Sequence, residues 1–140
     1  MGFFDAVETC LKKYAVFRGR APRSEYWWFT LFILIIYATF SMFIAPEQIH
    51  RMALLKATGV MPPQGAAHSL LGLVFDLVEL GLFLPSLGVI VRRLHDLDKS
   101  GWWYFFVIVP LVGPIMMLVW LCTRGTNGGN RFGNDPLRDF

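Results

Sequence analysis

The residues richest in chemical potential lie in one stretch, Arg92-Arg93-Leu94-His95-Asp96-Leu97-Asp98-Lys99-Ser100-Gly101-Trp102-Trp103. It sets an imidazole beside a carboxylate, with two guanidinium groups one turn earlier. Arginine in such a cluster suits bidentate contact with phosphate or carboxylate. Hydrolysis would need more. No serine or cysteine has a stated activating partner, and the adjacency of His95 and Asp96 in sequence does not make a dyad. Metal binding is equally thin: His95, Asp96 and Asp98 are ligand types, yet nothing completes a familiar spacing. No cofactor is expected. A second basic group, Arg18, Arg20 and Arg23, follows Lys12 and Lys13.

A different chemistry is offered by Asp76 and Glu79. They interrupt an apolar run and, three residues apart, share a helical face. A carboxylate within a bilayer is costly and normally faces protein, water or a partner charge. A proton or cation site is one reading. A polar seam against another helix or subunit is the second. A late helix start that leaves Asp76 near the headgroups is the third. Gly125-Thr126-Asn127-Gly128-Gly129-Asn130 is not a phosphate-binding loop, because it lacks the Gly-Lys-Ser/Thr ending and no strand precedes it. It reads as successive turns.

The elements that must position these groups are set by apolar blocks. The 140 residues are 55% hydrophobic and 16% charged, against roughly 45–50% and about 25% in soluble domains. The apolar residues fall in three blocks of about 20, which points to membrane helices. The predicted fold is all-α: an integral membrane helical bundle with three transmembrane helices and an amino-terminal interfacial amphipathic helix, all in a single domain over 1–140.

The spacing of Phe3, Val7, Leu11 (or Cys10), Tyr14 and Phe17 predicts a helix over 3–17 with one apolar face. Too short and charged to span, it is read as lying in the interface, aromatic face down. Packing on the rest of the protein is the alternative. Gly19 breaks it, and Pro22 suits the next first turn. The first crossing is expected over about 26–45, with Tyr26, Trp27 and Trp28 at the interface and Pro46 as its end. A loop follows over 46–69, with the turn signal Met61-Pro62-Pro63-Gln64-Gly65 and a short surface helix near Ile49–Leu55. The second crossing is expected over 70–91, bent at Pro85. The third is expected over 102–122, with a Pro110-Gly113-Pro114 kink at its centre. A re-entrant hairpin is the less favoured form of this block, its arms too short to cross. A Gly/Asn-rich tail covers 123–140, and Asn130-Arg131-Phe132-Gly133 reads as an ordered turn.

Charge decides orientation. With three crossings and a cytoplasmic amino terminus, eight of the 13 Lys and Arg lie inside, as positive-inside topology favours. The basic tail counts against that arrangement. A hairpin third block would bring the tail inside and raise the count to eleven of 13. No cleavable signal peptide is read, and the start fails the myristoylation pattern at Ala6. Two cysteines, Cys10 and Cys122, give neither a metal spacing nor a disulfide framework.

Four motifs occur in order: Phe17-Arg18-Gly19-Arg20-Ala21-Pro22-Arg23-Ser24-Glu25-Tyr26-Trp27, Leu84-Pro85-Ser86-Leu87, Arg92-Arg93-Leu94-His95-Asp96 with Ser100-Gly101-Trp102-Trp103, and Asn130-Arg131-Phe132-Gly133. Together they closely resemble the DUF805 family of small bacterial inner-membrane proteins, from about Phe3 to Pro136. The resemblance implies a multi-pass protein of the cytoplasmic membrane. It implies no reaction and carries over no catalytic residue.

The expectation is therefore a non-enzymatic inner-membrane protein: a structural, assembly or envelope-maintenance factor acting through lipid or protein contacts. A transporter or channel subunit using Asp76 and Glu79 is the alternative, and a membrane enzyme on lipid-linked substrates, using His95, the third. Anionic headgroup contact is assigned to Arg18, Arg20, Arg23, Arg92, Arg93 and His95, framed by Trp27, Trp102 and Trp103. The competing and preferred reading is that Glu25, Asp96 and Asp98 pair with these arginines and lock helices together. Membrane lipids and a homo-oligomer or membrane-protein partner are expected, and no nucleic acid.

Overall fold

Two long apolar helices dominate the chain, as the hydropathy blocks require. The computed structural model describes residues 1–63 and 66–137. Gln64 and Gly65 of the expected turn, and Arg138 of the tail, lie outside the described residues. The elements run α1 (Phe3–Lys12), α2 (Arg23–Thr58), α3 (Ala66–Asp96), a 3-10 helix (Gly101–Ile108) and α4 (Val112–Cys122). Contacts divide the chain into two compact units, one of Met1–Leu31 with Phe83–Phe140 and one of Phe32–Leu82.

Both long helices outrun their expected bounds. Pro46 lies inside α2 and does not end it. A proline ring removes one hydrogen bond but does not stop a helix whose later residues favour it. The surface helix expected near Ile49–Leu55 is the continuation of α2, which stops at Gly59, where φ is +71°. At 36 and 31 residues, α2 and α3 exceed what one crossing needs. Their apolar stretches are mostly exposed, as lipid-facing helices are.

The third block differs from expectation. Residues 102–122 do not form one crossing helix. A 3-10 helix runs to Ile108, Leu111 takes φ +64°, and α4 returns along it. Trp103 and Trp120, near opposite ends of the block, meet edge to face with ring centroids 5.5 Å apart. Pro110 and Pro114 lack the N–H groups a continuous helix would use. Gly113 permits the fold-back: a Cβ there would lie 2.2 Å from the Phe106 carbonyl oxygen. The block is a helical hairpin.

The first element is also shorter than predicted, ending at Lys12 and not at residue 17. Its buried side is Ala6 and Cys10, flanked by half-buried Phe3 and Val7. Leu11, Tyr14 and Phe17 are exposed. The chain beyond α1 crosses α3 at Gly88, where a Cβ would stand 3.5 Å from the Val16 carbonyl oxygen.

In the second unit, Phe75 of α3 packs its ring against Tyr37 and Phe40 of α2, at 5.3 and 4.9 Å. Arg51 donates from Nη2 to the Pro62 carbonyl at 3.1 Å.

Candidate functional site

The first unit is built around charge. Its largest fully buried side chains include Arg92, Arg93 and Glu25. Buried charges are tolerated when paired, and each of these faces an opposite charge, although Arg92 Nη1 makes its ion pair without a hydrogen bond of good geometry.

Asp96 is the hub. It ends α3, one turn after Arg93, so the two side chains share a face. Its Oδ1 accepts from Arg20 Nε at 2.9 Å, and Arg20 Nη2 stands 2.8 Å from the same oxygen. Its Oδ2 accepts from Arg93 Nη1. Gly19, with φ +86°, turns the chain so that Arg20 enters beneath the tail. The rest of the Arg20 fork then donates to tail carbonyls: Nη1 to Gly128 and Nη2 to Thr126, both at 2.6 Å. A five-donor planar group suits this multiple capture.

Arg93 spends its other donors on the end of α4. Nε donates to Leu121 O at 3.4 Å and Nη2 to Thr123 O. Arg23, exposed, donates from Nη1 to Cys122 O at 3.3 Å. The last carbonyls of a helix lack partners within it and carry partial negative charge. Two guanidinium groups thus satisfy the carboxyl end of α4 and hold the hairpin's return arm.

A second pair sits deeper. Arg92 Nη1 lies 2.8 Å from Glu25 Oε1, with both side chains almost wholly buried. Arg92 Nε also donates to Gly88 O at 3.3 Å. Cys10 completes this cluster, its thiol 3.7 Å from Glu25 Oε1. Burial, and then the Glu25 charge, push that thiol up to about 12, so it stays protonated and inert. The cluster joins α1, the start of α2 and the end of α3.

His95 holds the amino-terminal turn and the tail. Its Nδ1 lies 3.1 Å from the Gly19 carbonyl, so Nδ1–H donates there. Its ring stacks on Phe132 at 3.9 Å, and its backbone carbonyl accepts from Asn130 Nδ2 at 2.8 Å. It lies in the last turn of α3, beyond the apolar run. Burial lowers its pKa, the Arg131 charge adds to that, and the Gly19 bond opposes it. The tail turn closes through an Asn130–Gly133 bridge, and Arg131 pairs with Asp98 at 3.2 Å in an exposed position.

The structure therefore converges the two arginine groups. Arg20, Arg92, Arg93 and His95 are buried among protein partners, whereas Arg18, Trp27, Trp102 and Trp103 are exposed. Lys99 lies over the Trp120 ring at 4.7 Å. Ser100 caps the 3-10 helix by accepting from Trp102 N. Gly101 abuts Val91, and Pro85 is buried within α3. Asp76 and Glu79 belong to the other unit. Both are exposed, and Tyr37 O–H donates to Glu79 at 2.6 Å. Among the described residues, no group of three His, Cys, Asp or Glu is arranged to hold a metal ion.

Three participants were not read from sequence. Cys10 carried no signal beyond its place on an apolar face. Thr126 binds back through its N–H to Asp96 O at 2.9 Å. Gly125 touches the hub itself: a Cβ there would stand 2.0 Å from Asp96 Oδ2. The glycine run signalled turns, not contact with a carboxylate.

The protein-family comparison matches residues 14–134 to DUF805, described as a protein of unknown function. The inner membrane protein YhaI of Escherichia coli strain K12 is 38% identical over 132 residues, covering 91% of this chain and 92% of the relative. The inner membrane protein YhaH of the same strain is 37% identical over 126 residues, covering 90% and 91%. No solved structure matches.

Proposed function

Because the chain belongs to the DUF805 family, whose relatives here are inner-membrane proteins, we propose a non-catalytic membrane factor that acts through lipid and protein contacts. In this reading α2 and α3 are the two crossings, and α1, the re-entrant hairpin and the 123–137 tail lie at the cytoplasmic face. One observation carries the reading. The groups best suited to chemistry, Arg20, Glu25, Arg92, Arg93 and Asp96, are spent on one another and on helix-end carbonyls. What remains for function is the surface they hold in place.

Charge supports this orientation. With the tail and the 92–101 segment on one side, eleven of the 13 Lys and Arg are cytoplasmic. The exposed aromatic rings of Trp27, Trp102 and Trp103 then sit at headgroup level. The hairpin, with arms too short to cross, dips into the cytoplasmic leaflet.

A membrane-impermeant maleimide tests the topology. Exposed Cys122 is expected to label in inverted vesicles and not in intact spheroplasts, while Cys10 labels in neither without denaturant. Labelling of Cys122 from outside would sink the two-crossing arrangement. In the native host, Asp76→Asn with Glu79→Gln is expected to complement a deletion as well as the wild type. Failure with normal protein levels would return the transport reading to the front.

A further inference from the structure

A cavity of about 600 Å³ opens beside the charged hub, within the range of roughly 300–1,000 Å³ typical of small-molecule sites. Phe83, Leu87 and Val91 of α3 form one wall, Phe17 closes one side, and Trp102 and Phe105 of the hairpin form the other. The α3 wall repeats every four residues, so it is one stripe of one helix. The next position on that stripe is His95, which also lines the cavity, as does Ser100.

That stripe has a polarity gradient. Three apolar side chains lead to an imidazole that is 9% exposed. The His95 ring is fixed by Gly19 at Nδ1 and by Phe132 at its face. Its Nε2 edge has no partner among the described residues. From Phe83 to His95 the stripe rises about 18 Å, close to half of a hydrocarbon core roughly 30 Å thick. A bilayer leaflet has the same sequence of environments over the same depth.

The order of polarity chooses the occupant. Phe83, Leu87 and Val91 line the groove along α3, and His95 and Ser100 lie together at its end. A hydrocarbon chain with a polar end group matches that order. Phe83, Trp102 and Phe105 are 56%, 78% and 55% exposed, so the groove opens sideways, as entry from a bilayer requires.

We propose that this groove holds one acyl chain of a phospholipid, with the glycerol-phosphate end at His95 and Ser100. The proposal rests on the membrane placement given above and narrows its lipid contact to one built site. The hub becomes the support that sets the groove's width. Gly101, against Val91, keeps the hairpin close to α3.

The full chain is reconstituted with phosphatidylglycerol carrying a diazirine near the end of one acyl chain, then irradiated and mapped by mass spectrometry. Crosslinks are expected at Phe83, Leu87 or Phe105, saturating at one lipid per chain. Uniform labelling along α2 and α3, or no saturation, overturns the proposal. Leu87→Trp fills the groove and is expected to lower the saturable crosslink at least about tenfold. Leu80→Trp, at an exposed position outside it, leaves the crosslink unchanged. Unchanged yield in Leu87→Trp also overturns the proposal, and the wild-type map stands even if that variant folds poorly. Unlabelled phosphatidylglycerol and phosphatidylcholine are expected to compete. Competition by free palmitate alone would assign the groove to a fatty acid and refute the phospholipid. Cys122 labelling reads the topology separately, so failure of either inference is distinguishable from failure of the other.

Discussion

Glu25→Gln removes one charge of the deepest ion pair and leaves the other behind. Arg92 and Glu25 are 1% and 2% exposed at the side chain, with 2.8 Å between Nη1 and Oε1. The remaining Arg92 contacts are a 3.3 Å bond to Gly88 O and a 4.0 Å approach to Cys10 Sγ. Neither supplies a countercharge. Stranding a buried charge costs about 3–5 kcal/mol. For a chain of this size each kcal/mol moves the midpoint by about 3–4 °C, so thermal unfolding in detergent is expected to fall by roughly 10–20 °C. The double variant Glu25→Leu with Arg92→Met removes both charges and keeps volume. It is expected to recover most of the loss, because a buried pair adds little beyond well-packed apolar groups. Glu25→Leu alone and Arg92→Met alone close the cycle with this double variant, and because the two sites touch, the coupling energy is expected to exceed about 2 kcal/mol. Additive shifts, or a change below about 2 °C for Glu25→Gln alone, would refute the claim that this pair is a mutually dependent lock.

Two further outcomes follow from the hub. Gly125→Ala places a methyl group against the Asp96 carboxylate, which Arg20 and Arg93 hold from both sides. It is expected to lower the midpoint by several degrees and to raise proteolysis of the 123–137 segment, and a wild-type digestion pattern would contradict it. His95, with its pKa lowered from the usual 6.5, takes up its proton more readily in the unfolded chain than in the folded one. Stability is therefore expected to decline as pH falls through the interval just below 6.5. In His95→Gln that part of the slope disappears, and an unchanged pH profile would exclude His95 as its source.

The membrane class, the two long apolar helices and the partnership between the 18–26 and 92–103 segments were legible in composition and motif, whereas the third crossing expected over 102–122 is not one helix. Charge density at the ends of apolar blocks is a local property, readable without the fold. The third block was not decided by the same signals. Twenty-one apolar residues suit one crossing or two short arms, and Pro110, Gly113 and Pro114 accord with a kink as well as a reversal. Pro46 misled in the opposite direction, because one missing N–H does not end a helix. The tail was legible only as turns. Its carbonyls at Thr126 and Gly128 become ligands to Arg20 through contacts more than 100 residues apart, which no local pattern reports.

The ambiguous hairpin and the legible arginine motif explain each other. Arg93 stands three residues before Asp96, so the α3 backbone sets the carboxylate at one edge of its guanidinium. The opposite edge reaches the carbonyls of Leu121 and Thr123. Those carbonyls arrive only if the chain reverses after Ile108 and returns to the face it left. A straight third crossing would carry the end of α4 to the far side of the bilayer and leave Arg93 buried with donors unfilled. Arg23 at Cys122 O and Lys99 over Trp120 depend on the same return. The two arginines, the proline-bounded turn and the glycine opposite Phe106 therefore form one device. Loss of the turn is expected to be felt first at Arg93, not in the hairpin itself.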